Sequence, residues 1–116
     1  FSFGTNDLTQ TTLGLSRDDA GKFLKVYVTE KIFEVDPFVT VDPLRVGRLI
    51  QLAVAAARAA DPDFQISVCG EHGGDPVSVG RFRDWGLTDV SASTYRVPVA
   101  RLASAQATLR ARREPS

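Results

Sequence analysis

The sequence has no methionine, one cysteine, one histidine and one tryptophan in 116 residues. A single cysteine excludes an internal disulfide and fits a reducing compartment, so a cytoplasmic location is expected. One Cys and one His also exclude a structural zinc site made from these two residue types, which needs four ligands. There is no charge excess: Lys plus Arg and Asp plus Glu balance at 14 each. A nucleic-acid partner would call for a basic surplus, and a solvating tail for an acidic one. The longest mostly apolar run, Leu49 to Ala60, is interrupted by Gln51 and Arg58 and is too short to span a bilayer, so no membrane partner is expected. The chain opens directly on Phe1-Ser2-Phe3-Gly4, which resembles the end of a strand. With methionine lacking, the expectation is a piece of a longer protein.

What is present suits one α/β domain over residues 1–116, with 43% apolar residues to supply a core. Phe1 to Phe3 is expected as a strand, Thr5 to Leu8 as a turn or helix entry, and Thr9 to Leu15 as a short helix. Asp18, Asp19 and Gly21 mark Ser16 to Thr29 as mixed, with a loop. Residues 30–41 look irregular, with Ile32-Phe33 and Phe38-Val39 packing beneath a loop. Asp42-Pro43 combines a capping side chain with a residue suited to the first helical turn. Leu44, Leu49, Ile50, Ala53, Val54 and Ala57 then give an apolar face of helical period, ended by Asp61-Pro62. Phe64 to Val68 is expected as a second strand. Asp75-Pro76 starts a helix lined by Val79, Phe82 and Trp85 and closed by Gly86. Leu87 to Ser91 is a third strand. Pro98 opens a last helix to about Arg112, with the stripe Val99, Leu102, Ala105 or Gln106, and Leu109. Arg110, Arg112 and Arg113 suit the helix carboxyl end, and Glu114-Pro115-Ser116 is expected to fray.

Strands separated by helices imply crossover connections and a parallel sheet. Ligands of such folds gather at the carboxyl ends of the strands. Those ends carry Gly4 to Asp7, Cys69 to Asp75, and Ser91 to Arg96. Three strands cannot close a barrel, which needs eight strands and about 250 residues, and the outer flanks would lie open.

The stretch ISVCGEHGGDP, residues 66–76, concentrates the unusual chemistry. Cys69 is either a small buried hydrophobe at a strand end or a thiol that donates a proton or attacks a substrate, with His72 a candidate partner. The glycines beside it permit close approach of backbone and ligand. Glu71 and His72 could equally hold a tight loop in shape. Gly73, Gly74 and Asp75 are a loop into a helix cap, where exposed N–H groups could also face an anion. Asp7 is a candidate Mg²⁺ ligand, because that ion favours carboxylate oxygens. Asn6 could hydrogen-bond a carboxylate or phosphate, and Arg17 could clamp the same anion with its planar fork. Each of these alone is also compatible with an ordinary surface residue. A thiol redox module is disfavoured, because no second cysteine is present.

FSFGTNDLTQ, LSRDDAGKFL, CGEHGGDP and YRVPVARLASAQA, in that order, resemble the carboxyl-terminal part of the pyruvate, phosphate dikinase family, over essentially the whole chain. The wider family of phosphoenolpyruvate-utilising enzymes includes phosphoenolpyruvate synthase and enzyme I of the sugar phosphotransferase system. It shares the GTNDL and CG elements, while GEHGGDP points to the dikinase branch. The resemblance implies an α/β fold: the last three strands, with their helices, of a (β/α)8 TIM-type barrel that binds phosphoenolpyruvate or pyruvate. It implies Cys69 as the acid/base at the methylene carbon of enolpyruvate and Asp7 as one of two carboxylate ligands of Mg²⁺. It also implies Gly4, Thr5, Asn6 and Asp7 as substrate-lining residues and Arg17 as a phosphate contact. Implied partners are the rest of such an enzyme, with its phosphohistidine and ATP-binding domains, and a second copy through a barrel-mediated homodimer. The isolated chain is expected to be inert. The alternatives are a synthase or enzyme I relative, or a non-catalytic remnant with an association role.

Overall fold

The computed structural model describes residues 1–114. Three short parallel strands form one sheet in the order β1-β2-β3: β1 Ser2–Gly4, β2 Ser67–Cys69 and β3 Asp89–Val90. The register pairs Ser2 with Ser67, Phe3 with Val68 and Gly4 with Cys69. On the other side Ser67 pairs with Asp89, and Val68 with Val90. Spatial order follows chain order, so each connection is a helical crossover, as a parallel pair requires. The α/β class and parallel sheet agree with the sequence expectation. Among the described residues the sheet is an open three-stranded fragment, and no closed barrel is present.

Between β1 and β2 lie α1 Thr5–Leu13, α2 Arg17–Ala20, α3 Leu24–Thr29 and α4 Val46–Ala60; α5 Pro76–Asp84 links β2 to β3, and α6 Val97–Arg113 follows. The core lies where α4 and α5 meet the sheet: Val46, Ile50, Ile66, Val68 and Phe82 are inaccessible to solvent, with Val41 and Val54 packed among them. A smaller cluster of Ala20, Leu24 and Phe38 joins α2 and α3 to the irregular segment before α4. Asp75 caps α5 as its sequence signal predicts. Its Oδ2 accepts from the Ser78 N–H at 2.9 Å and from the Ser78 hydroxyl at 2.7 Å. Ser78 Oγ accepts in turn from the Val41 N–H at 2.9 Å, which fastens the 36–41 segment to α5.

Several expectations need correction. Thr5 to Leu8 is the first turn of α1, not a lead-in to a helix at Thr9, and that helix ends at Leu13. Ser16 to Thr29 is mostly helical, because Ala20 and Leu24 find apolar partners in Phe38 and Phe33 that no local signal announces. Ile32 and Val39 stay exposed while Phe38 is buried. Asp42 does accept from the Arg45 and Val46 N–H groups, yet regular helix starts only at Val46. Leu44 and Leu49 point to solvent, and Val46, Gly47, Ile50 and Val54 form the buried face. The strands are shorter than expected: Ser67–Cys69 replaces Phe64 to Val68, and Asp89–Val90 replaces Leu87 to Ser91. On α6 the stripe Val99, Leu102, Leu109 is exposed and Ala103 is buried instead. Of the expected frayed tail, Pro115 and Ser116 lie outside the described residues.

Candidate active site at the carboxyl ends of the strands

The pairing of Gly4 with Cys69 brings two chemically notable segments side by side. β1 runs out at Gly4, and the chain turns at once into α1, so Thr5, Asn6 and Asp7 form a helical first turn over the sheet edge. β2 runs out at Cys69. Gly70 follows with φ 128° and ψ 175°, a conformation essentially reserved for glycine, and Glu71–Gly74 forms one tight three-residue-per-turn helix. Gly70 has a second reason to lack a side chain. A Cβ there would lie 2.5 Å from Thr5 Oγ1 and 3.3 Å from Asn6 Oδ1. At Gly73 a Cβ would collide with the Ser91 carbonyl, so the loops after all three strands touch one another.

Cys69 is exposed in this chain, so here it does not pack as a buried hydrophobe. Asp7 is exposed and Asn6 half-buried. The Glu71 N–H donates to Asn6 Oδ1 at 3.3 Å. That bond assigns the amide oxygen inward and leaves the Asn6 Nδ2 hydrogens free to donate elsewhere. Thr5 is fully buried, and its hydroxyl lies 3.2 Å from the Cys69 carbonyl oxygen. Arg17, at the start of α2, is half-exposed and faces Glu71 Oε1 at 3.7 Å. This places the guanidinium beside the Cys69 loop, in a loose exposed ion pair that contributes little stability.

His72 is not a partner for the thiol. Its side chain is fully buried, with Nδ1 2.8 Å from Thr5 Oγ1 and Nε2 2.7 Å from the Pro37 carbonyl oxygen. Both ring nitrogens are therefore engaged. Burial pushes its pKa below the ordinary value, opposed by the Pro37 carbonyl and by the charges of Asp75, Asp36 and Glu71. Of the two alternatives for this residue, the loop-holding one is what the geometry displays.

A cavity of ≈ 360 Å³ opens beside this loop, lined by Arg17, Asp36, Phe38, Glu71, Tyr95 and Arg96 among others. Asp36 and Phe38 come from the irregular segment and Arg96 from the turn after β3. Sequence patterning flagged the Ser91–Arg96 strand end but gave no sign that the 36–38 segment would form the opposite wall. Among the described residues no three His, Cys, Asp or Glu side chains gather closely enough to hold a metal ion. Asp7 therefore belongs to no such group among the described residues. No helix among the described residues is long and apolar enough to cross a membrane.

Comparison with known proteins finds relatives along nearly the whole chain. The chain is 58% identical over 106 residues to the chloroplastic pyruvate, phosphate dikinase 1 of Arabidopsis thaliana, covering 91% of this chain and 11% of that protein. It is 57% identical over 109 residues to the pyruvate, phosphate dikinase of Clostridium symbiosum, covering 94% of this chain and 12% of that protein. It is 54% identical over 109 residues to the chloroplastic pyruvate, phosphate dikinase 1 of Oryza sativa subsp. japonica, again covering 94% and 12%. The chain thus spans about one-ninth of the length of these relatives. The family profile described as PEP-utilising enzyme, PEP-binding domain, matches residues 1–109. With that match covering nearly all of its length, the chain belongs to the PEP-binding domain family of the PEP-utilising enzymes.

Proposed function

We propose that this chain is the phosphoenolpyruvate- or pyruvate-binding end of a pyruvate, phosphate dikinase, which interconverts ATP, phosphate and pyruvate with AMP, diphosphate and phosphoenolpyruvate. One observation carries the reading: the exposed Cys69 thiol and the Gly4–Asp7 turn stand at the carboxyl ends of two adjacent, register-paired strands. That is where ligands bind in parallel α/β folds. The three-carbon guest lies over this edge. Cys69 gives its proton to the methylene carbon of enolpyruvate, forming the methyl C–H bond of pyruvate, and in reverse the thiolate takes that proton back. Asn6 donates from Nδ2 to a carboxylate or phosphate oxygen, since its Oδ1 is occupied by the Glu71 N–H. Arg17 offers a bidentate fork to the phosphate once it leaves Glu71. Gly4 and Thr5 shape the edge.

Asp7 contributes one carboxylate to Mg²⁺, with the remaining ligands supplied from outside this chain. The ion, when bound, stabilises the enolate oxygen as a Lewis acid. The rest of the barrel and the phosphohistidine and ATP-binding domains are the partners this reading requires, with a homodimer formed through the barrel. Cytoplasm is the compartment proposed from the single cysteine, although plant relatives carry chloroplastic names. Alone, the chain is inert.

The test uses the intact enzyme that carries this segment. Cys69→Ala is expected to stop exchange of the pyruvate methyl protons with solvent while ATP-dependent phosphorylation of the enzyme continues. Methyl exchange that persists in Cys69→Ala, or simultaneous loss of both partial reactions, would overturn the assignment. Dikinase turnover by the purified 116-residue chain would overturn the claim of inertness.

A further inference from the structure

His72 is the only histidine of the chain, is fully buried, and has no part in the proton transfer just described. Burial disfavours the charged ring, and the hydrogen bonds assign the tautomer of the neutral one. A carbonyl oxygen can only accept, so the Nε2 that lies 2.7 Å from the Pro37 oxygen carries a hydrogen. A neutral imidazole then has a bare Nδ1, which accepts from the Thr5 hydroxyl at 2.8 Å. That hydroxyl has one proton and two acceptors in reach, the second being the Cys69 carbonyl oxygen at 3.2 Å. Nδ1 is the nearer, and the Thr5 side chain is held in one orientation.

Three segments meet at this ring. Thr5 is the first residue of α1, immediately after Gly4 and immediately before Asn6. Pro37 lies between Asp36 and Phe38, which wall the cavity. His72 itself stands three residues beyond Cys69. A Cβ at Gly70 would lie 2.5 Å from the same Thr5 oxygen, so the contact between the two strand-end loops is close as well as hydrogen-bonded. The neighbouring bond from the Glu71 N–H to Asn6 Oδ1 depends on these two loops keeping their spacing.

We propose that His72, as the neutral tautomer protonated on Nε2, is a positioning residue that sets the Asn6 amide and the Cys69 thiol at a fixed separation by locking the Thr5 turn to the Cys69 loop. This rests on the function proposed above. The Nδ1 bond to Thr5 sets the site, and the Nε2 bond to Pro37 holds the cavity wall. Two substitutions separate the bonds. In His72→Asn the amide oxygen falls near the Nδ1 position and keeps an acceptor for Thr5. In His72→Gln the amide nitrogen reaches toward Pro37 and the acceptor for Thr5 is lost.

In the intact enzyme His72→Gln is expected to lower kcat/KM for pyruvate by about 10- to 100-fold, the cost of misplacing reacting groups by a fraction of an ångström or more. His72→Asn is expected to stay within about threefold of the unsubstituted enzyme, because the Thr5 contact that sets the geometry is retained. ATP-dependent phosphorylation should be unchanged in both. Equal impairment by Asn and Gln, or loss of phosphorylation alongside, would show a role only in folding and overturn the proposal. Should either variant fail to fold, nitrogen-15 NMR of the unsubstituted enzyme decides. A hydrogen on Nε2 with Nδ1 as acceptor upholds the assignment, and a hydrogen on Nδ1 overturns it. Failure of the underlying function is distinguishable, because it appears as methyl exchange in Cys69→Ala, which does not depend on His72.

Discussion

Substituting Gly70 by alanine probes the junction between the two strand-end loops most directly. Two costs combine there. The first is conformational: φ 128° with ψ 175° is a region that residues with a Cβ avoid, at about 1–3 kcal/mol. The second is steric. The new Cβ would sit 2.5 Å from Thr5 Oγ1, where a contact needs well over 3 Å. Thr5 Oγ1 cannot simply rotate away, since it is fully buried and hydrogen-bonded to His72. Overpacking of this kind costs about 1–3 kcal/mol. The sum, about 2–6 kcal/mol, is a large share of the roughly 5–15 kcal/mol that holds a domain folded. Gly14 supplies the control. It has φ 65°, also left-handed, but no atom lies within 4 Å of the Cβ position, so Gly14→Ala should cost only about 1–2 kcal/mol. Urea unfolding of the two variants and the unsubstituted chain, with m compared to confirm a common unfolding reaction, measures the difference. If Gly70→Ala is no more destabilising than Gly14→Ala, the close packing of the Thr5 turn on the Cys69 loop is wrong.

Two further outcomes follow from buried polar groups. His72 has a pKa lowered chiefly by burial, against the raising influence of the Pro37 carbonyl, Asp75, Asp36 and Glu71. Between that lowered value and about 6.5, the unfolded chain takes up a proton that the folded chain refuses, so stability rises with pH across this window and is fully present above it. Urea midpoints should therefore fall from pH 7.5 to pH 5.5, and the histidine part of that fall should vanish in His72→Gln; an unchanged pH slope would contradict the buried neutral ring. Thr9 is fully buried and its hydroxyl has no hydrogen-bond partner. Thr9→Val, which keeps the shape and removes the orphaned group, should stabilise the chain by about 1 kcal/mol or more; a lower midpoint would show that the hydroxyl is satisfied in solution.

Much of the architecture was legible because its signals are local. Alternating strand and helix segments imply a parallel sheet, and Asp75-Pro76 announces a helix because a cap and a pre-set φ act within a few residues. The clustering of Gly4–Asp7, Cys69–Asp75 and the Ser91–Arg96 segment at one sheet edge follows from the direction of parallel strands. The helices across residues 17–29 were not legible. Arg17–Ala20 and Leu24–Thr29 are too short to form alone, and packing of Ala20 and Leu24 on Phe38 stabilises them. Pattern also chose the wrong face of α6. Val99, Leu102 and Leu109 form the more apolar stripe, but the buried residue of α6 is Ala103, and Ala107 lies close to Gly80 of α5. Periodicity identifies an apolar face, not the neighbour it meets.

The candidate site divides along the same line. Which residue types are candidates for the proposed chemistry, a lone thiol, an Asn-Asp pair and an arginine, was plain from sequence, because side-chain chemistry does not depend on folding. That His72 is occupied by Thr5 and Pro37, that Cys69 is exposed, and that Asp36 and Phe38 wall the cavity were decided by tertiary structure alone. Thr5 and His72 are 67 positions apart. A hydrogen bond at that separation forms only after the crossover has laid β2 beside β1, and no pattern within either segment encodes the distance between them.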